Sequence, residues 1–187
     1  MSPIHLLVWL SGLTFQITNG LSIGSWLAGY GPTTRLEWQN HGNTYVAGGR
    51  IELGMMIWAF GFMGNVFHDD ELREIRRAAA RNQKKRAEEA DESTGKGKEG
   101  KKGVDKVYMI PENGLFRWIF FPHYLCEWIE WSGFWLIGGA RFVPGQNFVV
   151  NEISTMLPRA VQGKKWYEER FGKEKVAGRK AIIPGIL

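Results

Sequence analysis

The sequence predicts an all-α fold, a polytopic membrane helix bundle with about four transmembrane helices. Aromatic-rich apolar segments, with 9 Trp and 11 Phe among 187 residues, alternate with strongly charged segments. The net charge is +5 at pH 7, and a basic chain of this kind is compatible with nucleic acid or an anionic membrane surface as its partner. Because the basic segments adjoin apolar aromatic ones, the membrane is favoured and no nucleic-acid partner is expected.

Four apolar segments supply the predicted transmembrane helices. Residues 4–30 exceed the roughly 20 residues needed to cross a bilayer, and residues 51–67 are just long enough. Residues 115–139 are ample in length. Residues 141–157 are interrupted by Pro, Asn and Glu, so their prediction as a span depends on the distribution of charge.

Lysine and arginine are concentrated in two of the polar segments. Residues 69–107 contain twelve and residues 159–180 contain eight, whereas residues 31–50 contain two and residues 140–141 contain one. Since Lys and Arg accumulate on the cytosolic side of membrane proteins, four spans place both basic segments in the cytosol. An odd number of spans would place one of them outside, so the fourth span is favoured.

The length allows a single membrane domain over residues 1–187. Within it, residues 78–104 are predicted to be a disordered loop insertion rich in both basic and acidic residues. Helix-forming residues continue to about Ala90, and the run ESTGKGKEGKKG that follows is of low complexity.

Polar residues recur with helical spacing at the end of the second apolar segment. Asn65, Asp69, Arg73 and Arg76 are spaced i, i+4, i+8, i+11, so they share one face if the helix continues past Phe67. This stripe lies at the predicted cytosolic end of its span. Polar groups at membrane depth usually face a cavity or one another and mark functional sites.

The third apolar segment contains a second polar stripe. His123, Glu127 and Glu130 are spaced i, i+4, i+7 and also share a helix face. Uncompensated carboxylates in such a segment cost several kcal/mol, so a binding role or a structural ion pair is needed to hold them there. Arg159 and Tyr167 follow the fourth segment on the same predicted side, which predicts one cytosolic cluster of polar groups.

Metal and soluble nucleotide-binding motifs are not evident. His68, Asp69 and Asp70 are adjacent, so they point to different helix faces and are predicted to be a solvated helix end. His123 near Cys126 is a weak metal pattern in a chain with four scattered histidines, and no metal site is expected. The single cysteine excludes an internal disulfide. The chain also lacks a GxxxxGK[ST] phosphate loop and a GxGxxG after a strand-like run.

Three long segments carry a family resemblance: NVFHDDELREIR, YMIPENGLFRWIFFPHYLCEWIEWSGF and PRAVQGKKWYEERFGKEKVAGRKAIIPGIL. With the motifs IP-x-x-GLF, E-x-x-EW-x-GF and WY…RKA-IIP, the chain resembles the C-terminal part of the steroid 5α-reductase family (3-oxo-5α-steroid 4-dehydrogenase) over essentially its whole length. The resemblance implies a seven-helix membrane fold that this chain enters at about the fourth helix. It is therefore expected to be truncated at its N-terminus relative to the family, without the helices that carry the substrate-oxygen Tyr and Glu.

The resemblance implies an oxidoreductase that acts on CH–CH groups and transfers hydride from NADPH to the β-carbon of a lipid enone, with a steroid or sterol-like substrate. It also implies an endoplasmic reticulum membrane location with the basic loop and tail cytosolic. Met109 and Gly163 depart from the family, where some members have Arg and steroid-reducing members have His, and His123 stands where most members have Asn. The cofactor-binding positions implied by the resemblance are Asn65, Asp69, Arg76, His123, Glu127, Glu130, Arg159, Tyr167 and Arg179.

Other functions stay open at this point. The same C-terminal pattern is shared by very-long-chain enoyl-CoA reductases and polyprenal reductases. A membrane methyltransferase has similarly polar helix ends, but the E-x-x-EW pattern disfavours it. A cofactor-binding remnant or a membrane interaction protein without catalysis is favoured by the missing N-terminal helices. The expected partners are the lipid bilayer and a hydrophobic enone lipid.

Overall fold

A computed structural model describes residues 5–41, 49–94 and 108–187. Within these ranges the chain is helical, and its only β-type pairing is one isolated parallel bridge between Ile119 and Lys180. The predicted all-α class is confirmed. The elements in chain order are α1 Leu6–Gly29, α2 Arg35–Asn40, α3 Arg50–Thr94, a 3₁₀ helix Gly114–Arg117, α4 Pro122–Gly138, α5 Val143–Phe171 and α6 Lys173–Val176.

The chain divides into two compact units. The first unit comprises Met1–Met63 and Cys126–Pro158, and the second unit comprises Gly64–Leu125 and Arg159–Leu187. Helices α3, α4 and α5 each contribute residues to both units. The single domain expected for the whole chain stays a prediction.

Helices α3 and α4 approach each other closely in the first unit because glycines lie at their contact. A Cβ on Gly61 would overlap the backbone of Glu130 and Cys126, and a Cβ on Gly133 would overlap the backbone of Trp58. Lipid tails are as apolar as leucine, so helix association in a membrane depends on close van der Waals packing between small residues. The spacing of these glycines therefore determines how tightly the two helices pack.

A buried arginine closes the C-terminal end of α4. The guanidinium of Arg50, 2% exposed, donates hydrogen bonds to the carbonyl oxygens of Leu136 at 3.1 Å, Ile137 at 2.8 Å and Trp38 at 3.0 Å. The last carbonyls of a helix have no partner within the helix, and a cation there also complements the helix dipole. Arg50 thus joins the end of α4 to the start of α3 and to α2.

Helix α1 packs in the first unit through two aromatic contacts. The ring centroids of Phe15 and Phe148 are 5.8 Å apart, and those of Trp26 and Phe142 are 4.6 Å apart. Most of its other side chains are exposed. Among the helices that the structure describes, α1 is the one long and apolar enough to cross a membrane. The expected total of four spans stays a prediction.

The third apolar segment begins differently from the prediction of one continuous span over residues 115–139. Helix α4 starts only at Pro122, and the residues before it form the 3₁₀ helix and an extended stretch. The N–H of Phe120 donates to the carbonyl of Lys180 at 3.0 Å, so this backbone pairs with the C-terminal segment instead of starting a helix. Pro122 lacks an N–H group and suits the first turn of α4.

The predicted disordered insertion at 78–104 is wrong for its first part, because α3 continues to Thr94. Ala, Arg, Lys, Gln and Glu dominate this stretch and are strong helix formers. Lys84 and Glu88 form an i, i+4 ion pair of 3.7 Å on the helix surface. Residues 95–104 of the predicted insertion lie outside the described ranges.

The fourth apolar segment and the start of the basic tail form one helix. Helix α5 continues from Val143 through Pro158 to Phe171. The apolar segment predicted at 141–157 is therefore extended by more than three turns, and these turns carry Tyr167.

Candidate functional site

The second unit is organised around the turn Pro111–Gly114, which belongs to the IP-x-x-GLF motif. The Leu115 N–H donates to Nε2 of His68 at 3.1 Å, and Nδ1 of His68 lies 2.6 Å from the carbonyl oxygen of Gly64. Because Nε2 accepts a hydrogen bond, Nδ1 carries the ring proton and donates it to Gly64. Gly114 has a φ of 58°, and a Cβ there would lie 2.9 Å from the His68 ring.

The buried position of His68 corrects the predicted solvated helix end. His68 is 4% exposed, whereas the side chains of Asp69 and Asp70 are 40% and 64% exposed. Burial lowers the pKa of His68, which matches its role as a neutral imidazole that both donates and accepts. Sequence reasoning missed this residue because its partner, the Leu115 amide, is 47 positions away.

Two further side chains hold the same turn. The Asn113 side-chain amide donates to the Glu71 carboxylate at 2.6 Å. The Arg179 guanidinium donates to the carbonyl oxygen of Pro111 at 2.7 Å. The IP-x-x-GLF motif is thereby connected both to α3 and to the RKA-IIP motif.

The RKA-IIP motif also pairs directly with the residues that precede α4. The Lys180 N–H donates to the Trp118 carbonyl at 2.8 Å, and the Phe121 N–H donates to the Ala181 carbonyl at 3.0 Å. Ile119 and Ile182 are fully buried beside this pairing. The C-terminal segment is therefore part of the core of the second unit.

Phe120, Tyr167 and Arg179 form a compact group, called here the Phe120 cluster. The rings of Phe120 and Tyr167 stack with centroids 4.6 Å apart and an interplanar angle of 20°, and Cζ of Arg179 lies 5.7 Å from the Phe120 centroid. Burial raises the pKa of Tyr167, and the charges of Arg179 and Arg76 act in the opposite direction. Tyr167 therefore keeps its phenolic proton at neutral pH and can donate a hydrogen bond.

His123 presents a buried nitrogen without a hydrogen-bond partner. Nδ1 of His123 is inaccessible to solvent and makes no hydrogen bond within the described part of the chain. Asp69 and Arg76 lie near enough for their charges to act on the imidazole. Buried polar atoms are normally hydrogen-bonded, so an unpaired one in the second unit is a candidate ligand contact.

Five of the nine residues expected to bind cofactor therefore lie near one another in the second unit. The charges of Asp69 and Arg76 reach His123, and those of Arg76 and Arg179 reach Tyr167. Asp69 also forms an ion pair of 3.0 Å with Arg73. The members of this group are Asp69, Arg76, His123, Tyr167 and Arg179.

The remaining four predicted residues are placed differently. Asn65 is half-buried on α3, one turn before Asp69, and Arg159 is exposed on α5. Glu127 and Glu130 lie on α4 in the first unit, where Glu130 is 7% exposed and neither residue is without an interaction partner. The predicted helix spacing of both stripes is confirmed by α3 and α4, while the binding role of these residues stays a prediction.

Comparison with known proteins identifies the family. Residues 93–187, just over half of the chain, match the family described as 3-oxo-5-alpha-steroid 4-dehydrogenase. The chain belongs to this family. The resemblance carried by the sequence motifs is therefore confirmed, and the all-helical fold is that of a membrane-embedded family.

Individual relatives extend the match over the whole chain. An uncharacterized protein of Schizosaccharomyces pombe is 35% identical over 187 residues, which are 100% of this chain and 59% of that protein. Steroid 5-alpha-reductase DET2 of Solanum lycopersicum is 26% identical over 97% of this chain and 56% of its own length. The 3-oxo-5-alpha-steroid 4-dehydrogenase 1 of Rattus norvegicus is 31% identical over 72% of this chain and 41% of its own. The chain thus spans less than two thirds of the length of these curated relatives.

One departure from the 3-oxo-5-alpha-steroid 4-dehydrogenase pattern has a steric explanation. Steroid-reducing members are expected to have His at the position of Gly163. A Cβ on Gly163 would overlap the ring of Phe121, so any side chain there would require this ring to move. Glycine at position 163 therefore allows the Phe121 ring to lie where it does.

The second departure, Met109, lies in a cleft of the second unit. This cleft has a volume of about 520 Å³ and is lined by Met109, Glu112 and Lys175, among others. Met109 is 52% exposed and carries no charge, unlike the Arg that the resemblance implies for some family members. None of the nine predicted cofactor residues lines this cleft.

Proposed function

We propose that this chain forms the cofactor-binding part of a membrane enzyme that reduces a C=C bond conjugated to a carbonyl in a lipid, with hydride passing from NADPH to the β-carbon. The observation that carries the proposal is the family match over residues 93–187, which contain the whole Phe120 cluster. The relatives named as steroid 5-alpha-reductases support a steroid or sterol-like enone as the substrate class.

The donor set of the second unit fits a nicotinamide dinucleotide. The guanidinium groups of Arg76 and Arg179 suit phosphate oxygens, because planar guanidinium groups bind such oxygens through charge-assisted hydrogen bonds. The phenol of Tyr167 is protonated and can donate to a hydroxyl or an amide oxygen. The unpaired Nδ1 of His123 supplies one more polar contact.

These residues would bind and orient the cofactor and would not themselves react. NADPH supplies the hydride when it is bound, and the protein supplies position and electrostatics. Arg76 and Arg179 hold positive charge close to Tyr167 and so favour an anionic ligand there. The contribution of Glu127 and Glu130, as acceptors for cofactor hydroxyl or amide groups, is proposed from the family resemblance alone.

The location of the enzyme is part of the same proposal. The family is membrane-embedded, and we place this chain in the endoplasmic reticulum membrane with its basic segments in the cytosol. NADPH would then reach the second unit from the cytosol. That unit contains 21 of the 24 Lys and Arg residues of the chain. An apolar substrate would arrive from the bilayer.

NADPH titration of the purified chain in detergent tests the proposal, with binding followed by the quenching of tryptophan fluorescence. Tyr167→Phe keeps the stack on Phe120 and removes only the hydroxyl, so it is expected to weaken NADPH binding about fivefold. His123→Leu is expected to weaken it by a similar factor. Tyr108→Phe is the matched control, because Tyr108 is an exposed tyrosine of the same unit outside the Phe120 cluster.

Equal NADPH affinity in wild type, Tyr167→Phe and His123→Leu would contradict the assignment of these residues. If wild type bound no NADPH at all, the proposed function itself would be wrong for this chain. Circular dichroism of each variant checks that the helices are intact before affinities are compared.

A further inference from the structure

The first unit contains a cleft that the proposed function does not use. It has a volume of about 630 Å³ and lies beside the C-terminal end of α1 and the N-terminus of α5. Its polar lining includes three hydroxyls, an imidazole and a guanidinium, and none of the described residues that line it is acidic. The residues that supply these groups are Ser22, Ser25, Tyr30, His41 and Arg141.

The electrostatic environment of this cleft is positive. Arg141 is exposed at its edge, and burial together with the charges of Arg50 and Arg141 lowers the pKa of His41. Nε2 of His41 is inaccessible to solvent and has no hydrogen-bond partner among the described residues. An anionic group in the cleft would offset the two nearby positive charges and give this nitrogen a partner.

The start of α5 adds to the positive environment. Val143 and Pro144 line the cleft and form the first turn of a 29-residue helix that has no acidic residue in that turn. The N-terminal end of a helix carries partial positive charge, which favours an anionic group. Pro144 has no N–H and the Val143 N–H donates to the Arg141 carbonyl at 3.0 Å, so these two residues contribute the helix dipole and no free donor. Together with Arg141 and His41, the helix end makes a phosphate the best-matched ligand.

An apolar ridge on α1 leads into the cleft. Leu13, Ile17 and Leu21 are spaced four residues apart and continue to Ser25, which lines the cleft. They are 43%, 54% and 66% exposed. A ligand with a phosphate group and long apolar chains would contact both surfaces, whereas a free phosphate ion would contact only the cleft.

We propose that this cleft binds the phosphate headgroup of a membrane phospholipid, with the acyl chains lying along the ridge Leu13, Ile17 and Leu21. Arg141 pairs with the phosphate, and His41 and Ser25 supply hydrogen bonds. The site lies wholly within the first unit and does not depend on the cofactor assignment in the second. On the predicted topology it faces the leaflet opposite the cytosol, because residues 31–50 and 140–141 lie on that side.

Thermal unfolding of the full chain in a neutral detergent tests the proposal, with three additives compared: dioleoyl phosphatidylglycerol, dioleoylglycerol and inorganic phosphate. Phosphatidylglycerol is expected to raise the unfolding midpoint by at least about 3 °C, since a ligand that binds the folded state stabilises it. Dioleoylglycerol and inorganic phosphate are expected to leave the midpoint unchanged. Arg141→Gln is expected to require about tenfold more phosphatidylglycerol for the same shift.

Arg35→Gln is the matched control, because Arg35 is an exposed arginine of the first unit that does not line the cleft. Ser25→Leu is the second variant, since it fills the cleft without changing its charge, and it is also expected to lose the lipid response. NADPH affinity should be unchanged in all three variants.

Three results would overturn the proposal. An equal shift with dioleoylglycerol would mean that only the apolar ridge binds lipid. An equal shift with inorganic phosphate would mean a free-anion site. A full lipid response in both Arg141→Gln and Ser25→Leu, or an equal loss in Arg35→Gln, would mean that phosphatidylglycerol acts elsewhere on the protein.

Discussion

The two units of this protein share three helices but are stabilised by different interactions. The first unit contains three of the 24 Lys and Arg residues, and its helices α3 and α4 meet at Gly61 and Gly133 without space for larger side chains. The second unit contains the other 21, and its central turn is held by side-chain hydrogen bonds that involve His68, Asn113 and Arg179.

This difference follows from the surroundings expected for each unit. In lipid, apolar side chains gain little by leaving their solvent, so a tight fit between backbones has to hold the helices together. At a water-accessible surface, long polar side chains can be solvated and can also reach distant carbonyl and amide groups. The first unit is thus suited to hold helices in a membrane, and the second unit is suited to hold a polar ligand.

The largest expected effect tests the glycine contact of the first unit. Gly133→Ala places a Cβ against the backbone of Trp58, and we expect it to lower the free energy of unfolding by up to about 3 kcal/mol. Gly20→Ala on α1 is the control, because a Cβ there meets nothing within 4 Å. Alanine is the better helix former, so the control should be neutral or stabilising by up to about 1 kcal/mol. Denaturant unfolding in detergent measures the free energy of unfolding of both variants. Equal changes in Gly133→Ala and Gly20→Ala would show that the contact between α3 and α4 at Gly133 is not tight.

An intermediate effect tests the hydrogen-bonded turn of the second unit through its pH dependence. Because burial lowers the pKa of His68 from the ordinary value of 6.5, the folded protein favours the neutral ring. The stabilisation that comes from the folded state's preference for neutral His68 is present above pH 6.5 and is lost as the pH falls below that value. His68→Gln should cost about 1 kcal/mol at pH 7.5 and less at pH 5, because wild type loses the contribution there.

His5→Gln is the comparison for this pH series, since His5 is exposed, lies outside the second unit and makes a local contact, in which its Nδ1 accepts the Leu7 N–H at 3.3 Å at the start of α1. Thermal unfolding at pH 5, 6, 7 and 8 provides the comparison. If the difference in unfolding midpoint between wild type and His68→Gln were the same at every pH, the neutral ring of His68 would not be what stabilises the turn.

The smallest expected effect tests whether residues 95–103 matter to the second unit. Replacing them with a Gly-Ser linker of equal length is expected to leave NADPH affinity within about twofold of wild type, because none of the residues assigned to cofactor binding lies among them. The NADPH titration described above measures it. A loss as large as that of Tyr167→Phe would show that this segment contributes to binding.

Sequence periodicity predicted the helical scaffold of the candidate site correctly. The stripe from Asn65 to Arg76 depended on the second helix continuing past Phe67, and α3 does continue. The i, i+4, i+7 spacing of His123, Glu127 and Glu130 also falls on one helix, α4. Periodicity succeeds here because helix geometry relates residues a few positions apart.

The start of α4 and the burial of His68 were predicted wrongly for one reason. Residues 115–121 are apolar enough to resemble part of a span, but their backbone pairs with Lys180 and Ala181. His68 adjoins two exposed aspartates, yet it is buried under a turn more than forty residues away along the chain. Such long-range hydrogen bonds leave no local periodic signal.

Composition and spacing alone determined that the chain is helical and that it carries two basic segments beside apolar ones. Its motifs gave the resemblance to the 3-oxo-5-alpha-steroid 4-dehydrogenase family, which the match over residues 93–187 confirmed. Only the tertiary structure decided that the Phe120 cluster brings the residue before α4 together with Arg179 of the C-terminal segment. It also decided that the ring of Phe121 packs against Gly163. The physical reason is that helix propensity and hydrophobic pattern depend on neighbours in sequence, whereas these contacts depend on the path of the backbone between distant residues.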